Sequence, residues 1–275
     1  MTEETRKKTW HRVGDGFGAV GREMGRATVR AGKAAAEAWS AIDPALLRHA
    51  AQLPLMGLTL LGPSHRPLAP LPDDGYRPIL FVHGLGGHRS NFAPMRLWFR
   101  LHGRGRTYAV GFKPELSLDA MADQLRAAIG EVLRTNGLPV DAQVDVVAHS
   151  MGGIIARLAL EDVATARQVA HIVTLGTPHA GTQAARFART PHIRDLRPDS
   201  EIMLRLAAQL PWPGPPELPQ LTSLWSHSDL LLLPASTAQV VGAENVEMPA
   251  FTHYSYLLDV ISARKVYASL RAETR

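Results

Sequence analysis

The sequence of 275 residues predicts an α/β fold built on a mostly parallel sheet of about six strands flanked by helices. Two observations favour this fold class. Short apolar runs rich in β-branched residues recur from residue 77 onward, and segments with helical periodicity separate them. Several of these runs end in glycine or polar residues, which is typical of the loops that follow the carboxyl ends of parallel strands. An apolar content of 45% and a charged content of 20% fit a globular protein.

The elements predicted for this region alternate along the chain. The predicted strands are 77–83, 107–110, 144–148, 171–175, 220–226 and 245–248. The predicted helices are 91–101, 118–134, 154–160 and 256–271. Asn136-Gly137 marks the end of the second helix, since glycine is common just after a helix. This alternation predicts βαβ units and therefore parallel strands.

Residues 1–75 differ from the rest and are predicted to form a helical extension with a proline-rich linker. Glycines at 14, 18, 21, 25 and 32 would share one face of a helix, but glycine also weakens helices, so flexibility is an equal alternative. The alanine- and leucine-rich segment 34–61 is a predicted helix, with Asp43-Pro44 as a helix-start signal. It either docks on the neighbouring domain or lies on a membrane. Prolines between 63 and 78 mark the linker, so the α/β domain is predicted over 76–275.

Charge and composition narrow the function classes. The net charge is +5, and the basic residues Arg6, Lys7, Lys8 and Arg12 favour an anionic surface. No zinc-finger spacing or aromatic-basic interleaving supports nucleic-acid binding, and the absence of cysteine excludes disulfide and thiolate chemistry. No apolar run approaches the roughly 20 residues of a membrane span, and no secretory signal pattern is present. We therefore expect a cytoplasmic protein, with peripheral membrane contact through residues 1–61 as a hypothesis.

The stretch 144–153, V-D-V-V-A-H-S-M-G-G, has a pattern that is typical of a catalytic serine. An apolar strand turns sharply into a helix with Ser150 at the apex, which is the pattern of a nucleophile elbow. Ala148 takes the place of the first glycine of the usual G-x-S-x-G form. The N–H of Met151 would lie at the start of the helix, where it would stabilise an oxyanion.

A serine nucleophile needs a base to accept its proton and an acid to orient that base. His253 lies between the last predicted strand and the closing helix, and Asp229 follows the strand that ends near residue 226. The chain order Ser150, Asp229, His253 is that of α/β-hydrolases. Asp145 is a poorer acid because five residues of strand place it roughly 16 Å from Ser150. The other rivals, Asp259, Glu244 and Glu247, flank the last strand or lie on the closing helix.

The loop after the first strand, H-G-L-G-G at 83–87, is hereafter the oxyanion loop. The N–H of Leu85 is the predicted second oxyanion donor, and His83 is expected to form hydrogen bonds beneath this loop. His149 is expected to shape the turn beside the serine. No histidine pair has the spacing of a zinc-binding helix, so no metal and no cofactor are predicted.

These residues together resemble bacterial lipases and esterases of the α/β-hydrolase fold, in particular a small lipase group with alanine first in the elbow. The motifs that resemble them are F-V-H-G-L-G-G at 81–87, V-A-H-S-M-G-G at 147–153, V-T-L-G-T-P-H-A-G-T at 173–182, S-H-S-D at 226–229 and T-H at 252–253. The resemblance covers about residues 76–270. It implies hydrolysis of lipid-like or other apolar carboxylic esters through an acyl-enzyme, without a cofactor.

Two departures from that resemblance concern specificity. The smallest such lipases lack the first 75 residues, and they have less sequence before the acid. Here residues 183–219, hereafter the insertion, contain an amphipathic segment at 200–210 and then a proline-rich stretch. The insertion is either a lid or wall over the acyl site or a plain surface insertion. Two alternatives to hydrolysis stay open: acyl transfer to an alcohol, and a non-catalytic membrane-tethered scaffold.

Overall fold

The computed structural model describes residues 44–59, 68–113, 115–187, 191–214 and 218–271. Contacts divide the chain into two compact units, Met1–Leu47 and Arg48–Arg275. The glycine stripe, the basic cluster and the first part of the predicted helix 34–61 lie outside the described residues. The second unit contains the sheet and every predicted catalytic residue.

The sheet has six strands, all paired in parallel, which confirms the predicted fold class. The strands are β1 (Ile79–Val82), β2 (Thr107–Val110), β3 (Val144–His149), β4 (Val169–Leu175), β5 (Gln220–Trp225) and β6 (Glu244–Glu247). Their order across the sheet is β2-β1-β3-β4-β5-β6. The chain order reverses at β1, so the loops that follow β1 and β3 lie side by side, where α/β sheets bind ligands.

Helices cover both faces of the sheet, which is why β1 is apolar at every position. Leu80 and Val82 pack into the core on one face, whereas Ile79 and Phe81 pack into the core on the other. All four side chains are fully buried. A strand buried on both faces has no polar side, so it gives a continuous apolar run in the sequence.

Nine α-helices lie within the described ranges. They are α1 (Pro44–Thr59), α2 (Ala93–Leu101), α3 (Leu118–Thr135), α4 (Met151–Ala159), α5 (Val163–Arg167), α6 (Pro191–Arg194), α7 (Glu201–Ala207), α8 (Ser255–Leu258) and α9 (Val260–Arg271). Short 3-10 helices cover Arg89–Phe92, Gln183–Phe187 and Ala235–Ala238. Side-chain caps explain several starts: the Ser117 hydroxyl, for example, accepts a hydrogen bond from the N–H of Ala120. None of the described helices is both long and apolar enough to span a bilayer.

The predicted closing helix 256–271 is two helices. Asp259 has an extended backbone, with φ −89° and ψ 134°, and separates α8 from α9. Its carboxylate accepts a hydrogen bond from the N–H of Ile261 at 2.8 Å, so it caps the start of the second helix. The periodicity of apolar residues continues across this break, and for that reason the sequence pattern does not reveal it.

Candidate active site

Ser150 occupies a strained turn between β3 and α4. Its φ of 56° and ψ of −130° lie where L-residues are rare, at a cost of roughly 1–3 kcal/mol. Two hydrogen bonds hold this conformation: Ser150 N–H donates to Leu175 O at 2.9 Å, and Thr177 Oγ1 donates to Ser150 O at 2.8 Å. The turn places the serine hydroxyl at the carboxyl end of the central strand.

Close backbone approach explains the small residues around this turn. A Cβ on Gly152 would lie 2.5 Å from Val82 O, and one on Gly84 would lie 2.7 Å from Ser150 Cβ. Neither distance is compatible with a side chain, so glycine lets α4 approach the end of β1 and lets the oxyanion loop approach the serine. Ala148, by contrast, is a sheet position paired with Val82 and Thr174, and it accommodates a methyl group.

Hydrogen bonds join Ser150, His253 and Asp229 in one chain. His253 Nε2 lies 2.9 Å from Ser150 Oγ, and His253 Nδ1 lies 2.9 Å from Asp229 Oδ2 and 3.1 Å from Oδ1. Histidine and aspartate are both buried. The structure thus brings together the three residues predicted from the sequence, in the geometry that a serine nucleophile, a base and an orienting acid require.

The rival acids lie elsewhere. Asp145 is fully buried at the opposite end of β3, where Arg77 and Arg104 bind its two carboxylate oxygens at 3.0 and 2.8 Å. Glu244 accepts a hydrogen bond from Thr222, and Glu247 pairs with His227. Asp259 caps a helix, as described above.

Ser226 links the loop of Asp229 to the turn that contains His253, and the sequence reasoning did not single it out. Its hydroxyl accepts hydrogen bonds from the N–H groups of Ser228 at 3.2 Å and Phe251 at 3.0 Å. Asp229 is fixed in addition by the Leu231 N–H, which donates to Oδ1 at 3.0 Å. The aspartate is therefore held in its loop independently of His253.

His149 contacts His253 and does more than shape the turn. Its Nε2–H donates to the backbone carbonyl of His253 at 2.8 Å, and the two rings lie 4.7 Å apart. Complete burial lowers the pKa of His149 well below its usual value, with the nearby His253 as a second cause. The ring is therefore neutral, and its one proton is used in this contact.

The oxyanion loop is held from below by His83, as expected. The His83 Nδ1–H donates to Gly84 O at 2.9 Å, and Nε2 accepts from the Phe112 N–H at 3.4 Å. Burial lowers the pKa of His83 as well. Within the described part of the chain, the N–H groups of Leu85 and Met151 have no hydrogen-bond partner, and Met151 is the first residue of α4. Both donors are therefore available to a substrate oxygen.

A cavity of about 490 Å³ contains Ser150 and His253, a size within the range of small-molecule sites. Four of the segments that line it are α1, the oxyanion loop, the first part of the insertion and the loop after Asp229. The larger apolar side chains from these segments are Leu53, Met56, Leu85, Ile193, Leu196, Leu231 and Leu232. Among the residues described, no group of three or more His, Asp or Glu side chains could hold a metal ion.

A buried arginine anchors the insertion to the nucleophile helix. Arg157 on α4 is fully buried and donates to Gln209 Oε1 at 3.1 Å and to Leu206 O at 2.5 Å. Burial lowers its pKa to about 10, so it stays charged at neutral pH. Its guanidinium also lies over the ring of Trp212. Sequence reasoning missed Arg157, because helical periodicity alone does not distinguish a buried arginine from an exposed one.

Comparisons with known proteins support the α/β fold and find lipases among the relatives. A family model described as a PGAP1-like alpha/beta domain matches residues 111–191. Over 122 residues, 41% of this chain, the sequence is 30% identical to the triacylglycerol lipases of Pseudarthrobacter phenanthrenivorans and Burkholderia plantarii. The matches cover 36% and 32% of those two proteins, so the chain spans about a third of the length of these relatives.

Solved structures with similar folds include two lipases. The mature lipase BlEst2 of Bacillus licheniformis has a TM-score of 0.62 and 18% identity, over 76% of this chain and 99% of that one. Lipase B of Aspergillus fumigatus has a TM-score of 0.59 and 16% identity, over 75% of this chain and 55% of that one. The chain has the α/β-hydrolase fold of lipases and esterases, and the resemblance predicted from the sequence is confirmed.

Proposed function

We propose that this protein is a serine carboxylic-ester hydrolase of the lipase and esterase class, acting on apolar acyl esters through an acyl-enzyme on Ser150. The observation that supports this most strongly is the hydrogen-bonded chain from Ser150 through His253 to Asp229, at the base of an apolar cavity. The fold and the lipases among the relatives support the same activity.

In the first half of the reaction, Ser150 Oγ attacks the ester carbonyl carbon while His253 Nε2 accepts its proton. Asp229 accepts the Nδ1–H, which fixes the tautomer and stabilises the imidazolium. The ester C–O bond breaks, and the alcohol leaves with the proton from His253. Water then attacks the acyl-enzyme, with His253 again accepting a proton, and releases the carboxylic acid and free Ser150.

The negative charge of the tetrahedral intermediate develops on the former carbonyl oxygen. The N–H groups of Leu85 and Met151 are the proposed donors to it, and the N-terminus of α4 adds a favourable dipole. Removing one such donor in serine hydrolases typically lowers kcat by roughly 100- to 1,000-fold. These donors belong to the backbone, so the oxyanion loop and the elbow together supply this contribution.

The apolar walls support an acyl chain as the bound group. Each methylene removed from water contributes about 0.8 kcal/mol, so the cavity would favour esters whose chains fill it. Acyl transfer to an alcohol would use the same triad, but the relatives named above are lipases and do not favour it.

The test is a Ser150→Ala variant assayed on a series of chromogenic esters of increasing acyl length. We expect loss of turnover and of labelling by a fluorophosphonate, which reacts with activated serines. Turnover by the variant at the wild-type rate would contradict the assignment. A wild-type protein that the fluorophosphonate does not label would favour the non-catalytic scaffold instead.

We also propose peripheral membrane contact through residues 1–61. The described part of this region supports it, because Leu53, Leu55 and Leu58 on α1 are between 48% and 64% exposed to solvent. Co-sedimentation of the full chain with anionic vesicles should fall when Leu55 and Leu58 are both replaced by serine. Equal binding of the variant and the wild type would remove the proposal. Cytoplasmic localisation stays a prediction.

A further inference from the structure

Helix α1 contacts the turn that contains the proposed base. Gln52 Nε2 donates to Ser255 Oγ at 3.0 Å, and Gln52 Oε1 accepts from Thr252 Oγ1 at 2.7 Å. Both hydroxyl-bearing residues are buried, and they flank His253 on either side. One carboxamide 200 residues away in sequence therefore fixes the two ends of the segment that presents the imidazole.

Two neighbours of Gln52 on α1 bind the same turn. Arg48 Nη1 donates to Ala250 O at 2.5 Å. The φ of Ala250 is 44°, which is unusual for a residue that has a Cβ. The ring of His49 stacks on that of Tyr254, with centroids 5.1 Å apart and 24° between the planes. Residues 250–255, hereafter the base turn, are thus held from α1 at four positions.

The other end of α1 reaches the segment after the oxyanion loop. Thr59 Oγ1 lies 3.0 Å from Asn91 Oδ1, and Asn91 Oδ1 also accepts the N–H of His88 at 3.1 Å. Between the two ends, Leu53, Met56 and Gly57 line the cavity that contains Ser150. One helix therefore borders the base, the acyl cavity and the oxyanion side of the site.

We propose that α1 contributes to the active site. Gln52 on this helix is a positioning residue for His253, and it acts through its hydrogen bonds to Thr252 and Ser255. This inference rests on the proposed function, because it assigns α1 a role in presenting the base. His149 and Asp229 hold His253 from the sheet side, and Gln52 holds its flanking residues from the side of α1. Catalysis is sensitive to such placement, since a shift of about 1 Å can cost roughly 100-fold in rate.

The experiment replaces the carboxamide without changing the size of the side chain. Gln52→Met removes both hydrogen bonds, and we expect kcat on a short-chain ester to fall roughly tenfold with little change in KM. Gln52→Glu can still accept from both hydroxyls and should retain most of the activity. Ala50→Ser, at an exposed position of the same helix that makes none of these contacts, is the control and should behave as wild type.

A second variant keeps the test decisive if Gln52→Met lowers stability. Thr252→Val removes one of the two Gln52 hydrogen bonds from the other side, so the double variant should lose little more than Gln52→Met alone. Losses that multiply, or wild-type kcat in Gln52→Met, would overturn the inference. The rate at which a fluorophosphonate labels Ser150 in the folded fraction of each variant should follow the same order as kcat.

Labelling separates this inference from the proposed function. A wild-type chain that neither hydrolyses esters nor reacts with the fluorophosphonate would refute the hydrolase assignment, and the role of α1 with it. A wild-type chain that does both, while Gln52→Met reacts equally fast, would refute the role of α1 alone.

Discussion

The imidazole of His149, the residue directly before the proposed nucleophile, donates a hydrogen bond to the backbone carbonyl of His253. The elbow therefore positions two groups: the Ser150 hydroxyl at its apex and, through the adjacent side chain, the backbone of the base. The distance from His253 Nε2 to Ser150 Oγ depends on this bond as well as on the contact with Asp229.

Loss of the His149 bond should impair the chemical step. We expect His149→Phe, which keeps a ring in the buried site, to lower kcat by roughly 10- to 100-fold with KM little changed. His149→Gln places a donor near the original Nε2 and should recover part of that loss. Steady-state kinetics on one soluble ester would check both variants, and a wild-type kcat in His149→Phe would show that the hydrogen bond is unimportant.

Asp229→Asn should remove activity but leave the fold intact. The amide oxygen can still accept from the Leu231 N–H, whereas the amide nitrogen would favour the wrong tautomer of His253. By analogy with other triads, kcat should fall roughly a thousand- to ten-thousand-fold. Kinetics together with thermal melting test this, and a kcat within tenfold of wild type would indicate another acid.

Asp145→Asn is the matched substitution at the far end of β3, and it should have the opposite effect. It leaves the buried guanidinium of Arg104 without its carboxylate, at a cost of about 3–5 kcal/mol of unfolding free energy. Turnover per folded molecule should equal that of wild type. Urea unfolding and active-site titration measure the two quantities, and lost turnover in fully folded protein would contradict the separation.

Stability should fall below about pH 6.5. Burial lowers the pKa of His83, His149 and His179 in the folded chain, whereas in the unfolded chain they titrate near 6.5. Below that pH the unfolded state binds more protons, so acid favours unfolding, by up to about 1.4 kcal/mol per pH unit for each histidine. Urea unfolding between pH 8 and 5 would measure the slope. His179→Gln should reduce it, and an unchanged slope would show that this histidine does not contribute.

Gly57→Leu should change acyl-chain preference. Gly57 lines the cavity, and a Cβ there would meet no atom within 4 Å, so a larger side chain would start from open space and narrow the cavity. We expect reduced kcat/KM for long-chain esters and little change for acetate esters. The Gly57→Ala control should gain up to about 1 kcal/mol of stability from helix propensity and keep the chain-length profile. Identical profiles for wild type and Gly57→Leu would place the acyl chain elsewhere.

The features predicted well from the sequence are those with a local pattern. Strands buried on both faces give continuous apolar runs. The elbow contains a strand, a turn and the start of a helix within ten consecutive residues. The proximity of Asp229 and His253 to Ser150 could be predicted because chain order and strand ends limit where an acid and a base can lie. Each of these signals depends on neighbours in the sequence.

Contacts between distant segments could not be predicted in this way. Gln52 is one polar residue in an alanine- and leucine-rich helix, and its partners are about 200 residues away. Arg157 lies on α4, where only the packing of the insertion makes its burial evident. The helix break at Asp259 depends on a single side-chain cap, which the apolar periodicity does not register.

The hydrogen bond between Gln52 and Ser255 joins α1, the first described helix, to the start of α8, so the site depends on segments that are synthesised at different times. Helix α1 is synthesised long before its partners. While the ribosome makes the central strands, the apolar face of α1 therefore cannot yet pack against the base turn. Ser150 is synthesised about 100 residues before His253, the proposed base that activates it. We expect ribosome-bound chains that end before residue 253 to contain Ser150 and yet to be inert toward esters, so activity would begin only after the base turn has been made.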